Sequence, residues 1–439
     1  MDPVEGKSTS VALWLPIAWY AISITRGISE WIHPSGGVPR AVANIEGNPI
    51  DRNIYLALIV LGILFLIARR IDWREMIRAN GWIFALLAYM LASILWSDFQ
   101  EIAFKRWVKF FGSIVMALIV LTEPEPVEAM IKLLRWCFLL IIPLNIITIK
   151  YFREIGVGWD YLGSEMWTGI TRHKNMLGEM CMISGMYFVW DTVRNWGERR
   201  IIINIGYMAM IIYLMGGSSS SRSVSSMLVL LMGLALFFGF QLAPRDPESL
   251  NRFFKRGIIV LLLCVGAIQV GVMAFSRDRS IFDVSLQVSG RDPTLTGRTE
   301  LWTDILQIAS NHPFFGVGYG SFWIGNLSNN LWERHIWMPQ QAHNGYIDIY
   351  VELGLIGLAL LAGLLIATFK KIKERFISNF EIGRFQMALF VMLVVHNVPE
   401  SSFLQSTHGL WFIFLLIALN VPPTSKEIAA EPEPAGHVV

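Results

Sequence analysis

Charge is scarce in this sequence: Asp, Glu, Lys and Arg make up 16% of its 439 residues, against about a quarter in ordinary soluble domains. Hydrophobic residues supply 54% and the mean hydropathy is +0.50. This balance excludes an ordinary soluble core and predicts an all-α polytopic membrane protein. Cysteine is nearly missing as well. Cys137, Cys181 and Cys264 all stand inside apolar runs, so they offer neither a disulfide framework nor a CxxC metal site, and they read as small core hydrophobes. No GxxxxGK[ST] phosphate loop occurs, and no Asp-x-Asp pair to hold a divalent metal beside a sugar nucleotide. ATP-driven and nucleotide-sugar chemistry therefore have no visible home, and neither a metal, a cofactor nor a nucleic-acid partner is expected. The first apolar run lacks a basic flank and a small-residue cleavage site, so it reads as a retained span.

What is present is a series of apolar runs, about twelve, each near the length that crosses a ~30 Å hydrocarbon layer. They lie near 11–25, 53–69, 81–97, 107–122, 134–150, 176–191, 200–216, 224–241, 257–275, 345–369, 385–397 and 408–421. This divides the chain into nine spans over 1–275, a large loop over 276–342, three spans over 343–421 and a disordered tail over 422–439. Basic residues concentrate in loops such as Arg69 to Arg78, Arg194 to Arg200, Arg245 to Arg256 and Lys370 to Arg384. Such loops favour the cytoplasm, so both termini are expected inside, and 26–52, 151–175, 217–223 and 276–342 face the outside.

The large loop has a plan of its own. "TELWTDILQIASNHP" reads as an amphipathic helix starting near Thr299, with Leu301, Trp302, Ile305, Leu306 and Ala309 on one face. "FFGVGYGSFW" follows as a Gly-rich, aromatic turn region. The chain returns to the bilayer through "QAHNGYIDIYVELGLIGL", which gathers His343, Asn344, Asp348 and Glu352 at the mouth of the tenth span. Asn344, Asp348 and Glu352 fall at i, i+4 and i+8, on one face. The helix dipole accounts for an acid at 348. Glu352 lies in the third turn, where an unpaired carboxylate costs several kcal/mol, so it is expected to pair with a basic residue or to contact substrate. Arg222, at the head of the eighth span, and Arg298, just before the amphipathic helix, are the other outside polar residues that stand directly against apolar segments. His33, His335, His396 and His408 show no partner pattern and read as structural, whereas His173 competes as a second site histidine.

"GRTELWTDILQIASNHPFFGVGYGSFW" followed by "QAHNGYIDIYVELGLIGL" resembles the signature region of the O-antigen ligase and polysaccharide polymerase superfamily. "GGSSSSRSVSSMLVLL" resembles its earlier Ser-Arg motif, and "TGITRHKNMLGEM" is similar to an element in which an outside loop ends in Asn at a helix start. The resemblance spans roughly residues 160 to 365. It implies a metal-independent, inverting glycosyltransferase in the bacterial inner membrane, with an undecaprenyl-pyrophosphate-linked glycan as donor. The acceptor would be a hydroxyl on the periplasmic face, on a lipid A-core sugar or a growing glycan. By carry-over, Arg222 and Arg298 bind the pyrophosphate, with Arg172 and Lys174 as additions; guanidinium forks suit such a leaving group. His343 is the candidate base, since an imidazole can take the hydroxyl proton near neutral pH. Asn344, Tyr346, Glu352 and Asn175 are the supporting or substrate-contacting candidates. Ligase is the expected activity, polymerase its alternative within the superfamily, and a polysaccharide transporter or flippase the reading from another class. Against the last, the distinctive polar residues sit at one face rather than at mid-membrane.

Overall fold

The computed structural model describes residues 9–32, 47–69, 71–159, 163–217, 222–244, 246, 248–257, 294–335 and 337–421. The ninth apolar run, Cys264, His33, the polar stretch 276–293 and the tail all fall outside these residues. Among the described residues the helices include α1 Trp14–Ser23, α2 Pro49–Ala68, α3 Trp73–Ala79, α4 Gly81–Ser93, α5 Gln100–Leu121, α6 Pro126–Tyr151, α7 Lys174–Arg194, α8 Arg200–Met215, α9 Val224–Gly239, α10 Thr294–Ala309, α11 Gly345–Ser378, α12 Phe380–His396 and α13 Gly409–Ala418. Each of the other eleven expected runs coincides with one of these helices.

Among the described residues, four segments are long and apolar enough to cross a membrane, Pro49–Ala68, Pro126–Tyr151, Val224–Leu242 and Gly345–Ser378; α3 with α4 makes a fifth if their 92° bend lies within one span. The outward faces agree. On α2, Leu56, Val60, Leu61, Leu64 and Ile67 are exposed, and α8 presents Ile202, Ile205 and Ile212 in the same way. Water would penalise such continuous apolar belts, whereas lipid accepts them. The protein is a polytopic membrane protein.

The core sits among α7, α9, α11, α12 and α13. Trp190 stacks on Phe385 with ring centroids 4.3 Å apart, joining α7 to α12, and Trp411 stacks on Phe110, joining α13 to α5. A second, smaller core belongs to the large loop: Leu301, Ile305 and Ala309 of α10 pack with Phe322, Leu331, Ala342 and Val351. Here the structure corrects the sequence reading. The amphipathic helix begins at Thr294, which puts Arg298 inside it rather than before it, and Leu306 turns outward. Trp302 is fixed by its ring N–H, which donates to the Ala342 carbonyl at 2.7 Å.

The tenth span is also not one continuous helix. Gly354, at φ 65° and ψ −163°, breaks α11. The Gly-rich turn region fills the break. Leu355 N–H donates to the Pro313 carbonyl and Ile356 N–H to that of Phe314, while Val317 and Gly318 N–H groups donate to the carbonyls of Val351 and Glu352. Backbone groups freed at membrane depth must find partners within the protein, and this loop supplies them. A Cβ on Gly354 would collide with the Phe314 carbonyl, and one on Gly316 with the Glu352 backbone. Past the break the helix runs on to Ser378, so Lys370 to Arg375 lie in its last turns rather than in a loop. Arg384, assigned to the same basic loop, is buried within α12.

Between α6 and α7 the chain forms a short antiparallel hairpin, β1 Val157–Trp159 with β2 Glu165–Trp167. Arg26 buckles this segment to α1, donating to the carbonyls of Ile155 at 2.6 Å and Thr171 at 3.1 Å. Asn145 of α6 accepts from Ile170 N–H. These ties set where Arg172 and His173 stand.

Candidate active site

The chain between α12 and α13 forms a turn held by one residue, Asn397. Its side-chain oxygen accepts from the N–H groups of Ser402 and Phe403. Gly345, at the start of α11, donates to the Asn397 and Glu400 carbonyls. A side chain at 345 would collide with Asn397, so glycine is required for this approach. The consequence is that Glu400 lies directly beneath His343.

Glu400 is 2% exposed, and both its oxygens are occupied. His343 Nδ1 lies 2.9 Å from Oε2. Arg298 Nη2 donates to Oε1 at 3.0 Å and Asn175 Nδ2 to the same oxygen at 2.7 Å. Burial alone would raise the Glu400 pKa, but the His343 hydrogen bond and the positive charge of Arg298 outweigh it and hold the carboxyl down at about 2. A ring nitrogen so close to an ionised carboxylate carries the proton, so Nε2 is the nitrogen that faces away from Glu400 and can offer a lone pair. His343 has φ 49°, in the left-handed region. Strained backbone of this kind persists where its surroundings dictate it.

The structure thus brings three residues singled out by the sequence, His343, Arg298 and Asn175, onto one carboxylate that the sequence reading did not include. Arg298 is more committed than expected, since Nη1 also donates to the Pro399 carbonyl at 2.6 Å. Its remaining N–H groups are the ones open to a ligand.

Beside the dyad opens a cleft of ≈ 160 Å³, lined by Arg172, His173, Glu179, Gln341, Ser401 and His408 among others. His408 has a partner after all: its Nε2 lies 3.3 Å from Glu179. His335, also read as lacking a partner, pairs with Asp304 at 3.1 Å. Arg172 is half-exposed and pairs with Glu30 at 3.2 Å. Lys174 opens α7, one residue before Asn175. Arg222 is exposed, and its neighbour Ser223 packs against Gly178 of α7, so Arg222 belongs to the same end of the bundle.

The remaining candidates have structural duties. Asn344 caps α11, accepting from the N–H groups of Tyr346 and Ile347. Tyr346 donates its hydroxyl to the Val394 carbonyl at 2.9 Å. Asp348 does more than answer the helix dipole: it accepts from Trp323 Nε1, Ala342 N–H and Ser401 Oγ, pinning three loop segments around His343. Glu352 stands at the helix break, away from the Glu400 cluster. Its carboxylate faces the Gly320 backbone and the charge of Arg106. Arg106 in turn donates to the Gly320 carbonyl at 2.6 Å.

Comparison with known proteins adds three findings. Residues 205–362 match the family model for O-Antigen ligase. The chain is 26% identical over 383 residues to "Exopolysaccharide production protein ExoQ" of Rhizobium meliloti (strain 1021), covering 83% of each chain. It is 23% identical over 235 residues to "Putative polysaccharide ligase RP358" of Rickettsia prowazekii (strain Madrid E), covering 49% of this chain and 56% of that one. The matched segment contains Arg222, Arg298 and His343, three of the residues at this end of the bundle. By these matches residues 205–362 correspond to an O-antigen ligase domain, and the chain is similar to members of the O-antigen ligase and polysaccharide polymerase superfamily.

Proposed function

We propose that the protein is an inverting glycosyltransferase that moves a glycan from undecaprenyl pyrophosphate to an acceptor hydroxyl at the periplasmic face of the inner membrane. The observation that carries this reading is the His343–Glu400 dyad beside a polar cleft, at the end of the bundle where Arg172, Arg222 and Arg298 gather. Glu400 orients the imidazole, and Nε2 takes the acceptor proton as that oxygen attacks the anomeric carbon. The bond from the anomeric carbon to the phosphate oxygen breaks with inversion, and the guanidinium groups stabilise the charge that collects on the departing pyrophosphate. No step calls for a metal. Twelve spans with cytoplasmic termini and 276–342 as a periplasmic loop complete the topology, with Arg222 and Lys174 on the pyrophosphate side.

In the ligase reading the acceptor is a lipid A-core sugar. A second reading, chain extension by a polymerase, is favoured by the relative aligned over 83% of both chains, whose name concerns exopolysaccharide production. Deletion and complementation separate the two, with lipopolysaccharide and secreted polysaccharide sized on gels. A ligase deletion leaves bare lipid A-core while long carrier-linked chains accumulate; a polymerase deletion leaves single repeat units. Full complementation by both His343→Ala and Arg298→Ala at normal expression would remove this site and return the transporter reading to favour.

A further inference from the structure

One cation near the cleft has no role in the account above. Lys109 lies on α5, three residues after Arg106 and four before Ser113, so the three share a helix face. Ser113 donates its hydroxyl to the Ser406 carbonyl at 3.0 Å, and Ser406 lines the cleft. Lys109 Nζ stands over the ring of Tyr55, 5.7 Å from its centroid, and the Tyr55 hydroxyl faces Thr407 on the cleft wall. The ammonium is therefore one aromatic ring from the cleft. Among the described residues it makes no ion pair or hydrogen bond, and the charges that reach it are Arg106, Arg172, Arg52 and a single acid, Asp51. Asp51 is engaged elsewhere, accepting from the Ser29 N–H at 2.9 Å and the Ser29 hydroxyl at 2.5 Å.

A lysine that merely snorkelled would carry its head away from the protein toward water or lipid headgroups. Lys109 instead lies partly buried, against an aromatic ring inside the bundle and among cations of its own sign. Such an arrangement costs free energy until a polyanion enters and is favourable once it has. We propose that Lys109 is a further phosphate contact of this site, donating to a pyrophosphate oxygen of the lipid-linked donor alongside Arg172. This rests on the glycosyl-transfer reading above.

The test uses the full-length protein in nanodiscs of zwitterionic lipid, titrated calorimetrically with inorganic pyrophosphate. Loss of one charge-assisted contact should weaken binding about tenfold in Lys109→Gln. Lys109→Arg should stay near wild type, and Lys150→Gln, a lysine on another helix, should be unchanged. Equal affinity in wild type and Lys109→Gln overturns the assignment of Lys109 while leaving the site intact. If wild type does not bind pyrophosphate at all, the donor reading itself falls. A third arm repeats the titration in phosphatidylglycerol nanodiscs; if Lys109 affects only the retention of that lipid, its partner is a headgroup and the proposal is wrong. Monodisperse elution of each variant, with Lys109→Arg as the charge-preserving control, separates misfolding from lost contact.

Discussion

At the residue scale the protein turns on Glu400. Removing it leaves the partly buried Arg298 guanidinium without its counter-charge and the His343 Nδ1 without its partner, and breaking a buried pair from one side costs about 3 kcal/mol or more. Glu400→Ala is accordingly expected to lower thermal stability clearly. Glu400→Gln keeps the volume and one acceptor, so it should fold, yet it loses the charge that fixes the His343 tautomer. Transfer activity in Glu400→Gln and in His343→Ala is expected to fall by about a hundredfold or more, the scale of a lost general base. A His343→Ala protein that transfers at the wild-type rate would show that the dyad is only structural. Acid sensitivity follows with a definite sign. The folded-state pKa of Glu400 lies below the ordinary 4.5, at about 2, so its pairing stabilises fully above pH 4.5 and is lost as the pH falls from 4.5 through 2. Unfolding midpoints measured across that window should decline less steeply in Glu400→Gln than in wild type; identical slopes would mean the carboxylate is not held ionised.

At the element scale the informative feature is the interruption of α11. An alanine at 354 would have to adopt φ 65° and would meet the Phe314 carbonyl, so Gly354→Ala is expected to cost about 1–3 kcal/mol. Gly206→Ala is the control, because nothing lies within 4 Å of a Cβ there and alanine is the better helix former. Its melting temperature should match or exceed that of wild type. A Gly354→Ala protein as stable as the control would mean the break is not needed. This break was invisible in the sequence because glycine is common in membrane helices, and nothing in "VELGLIGL" marks one glycine as different. The helices themselves were legible, since long apolar runs have few alternatives. His343, Arg298 and Asn175 were legible through their motifs. Glu400 was not, for its partner lies 57 residues away and a lone acid in a short turn carries no periodic signal. Its one mark was being the only charged residue in the connection from 398 to 407. His408 and Glu179 escaped for a related reason, each being isolated in its own apolar context and meaningful only once α7 and α13 meet.

At the scale of the whole molecule, the site has chemical sense only if His343, Arg172 and the hairpin share one side of the membrane. Single cysteines in a background lacking Cys137, Cys181 and Cys264 test this directly. Arg153→Cys, in the half-exposed segment before the hairpin, should react with an impermeant maleimide in intact spheroplasts. Glu198→Cys, between α7 and α8, should react only after permeabilisation. The reverse pattern would invert the topology and move the proposed chemistry to the wrong compartment. The docking of the Gly-rich loop into α11 also bears on biogenesis. Phe314, which meets the exposed backbone at the break, precedes Gly354 by forty residues, so the ribosome delivers the filler before the gap it must close. On the topology proposed above, insertion of this span is then a templated event, in which the loop, made first, waits to stitch the emerging half-helix. Lengthening the tether between them should show up as slower maturation rather than as a changed final structure.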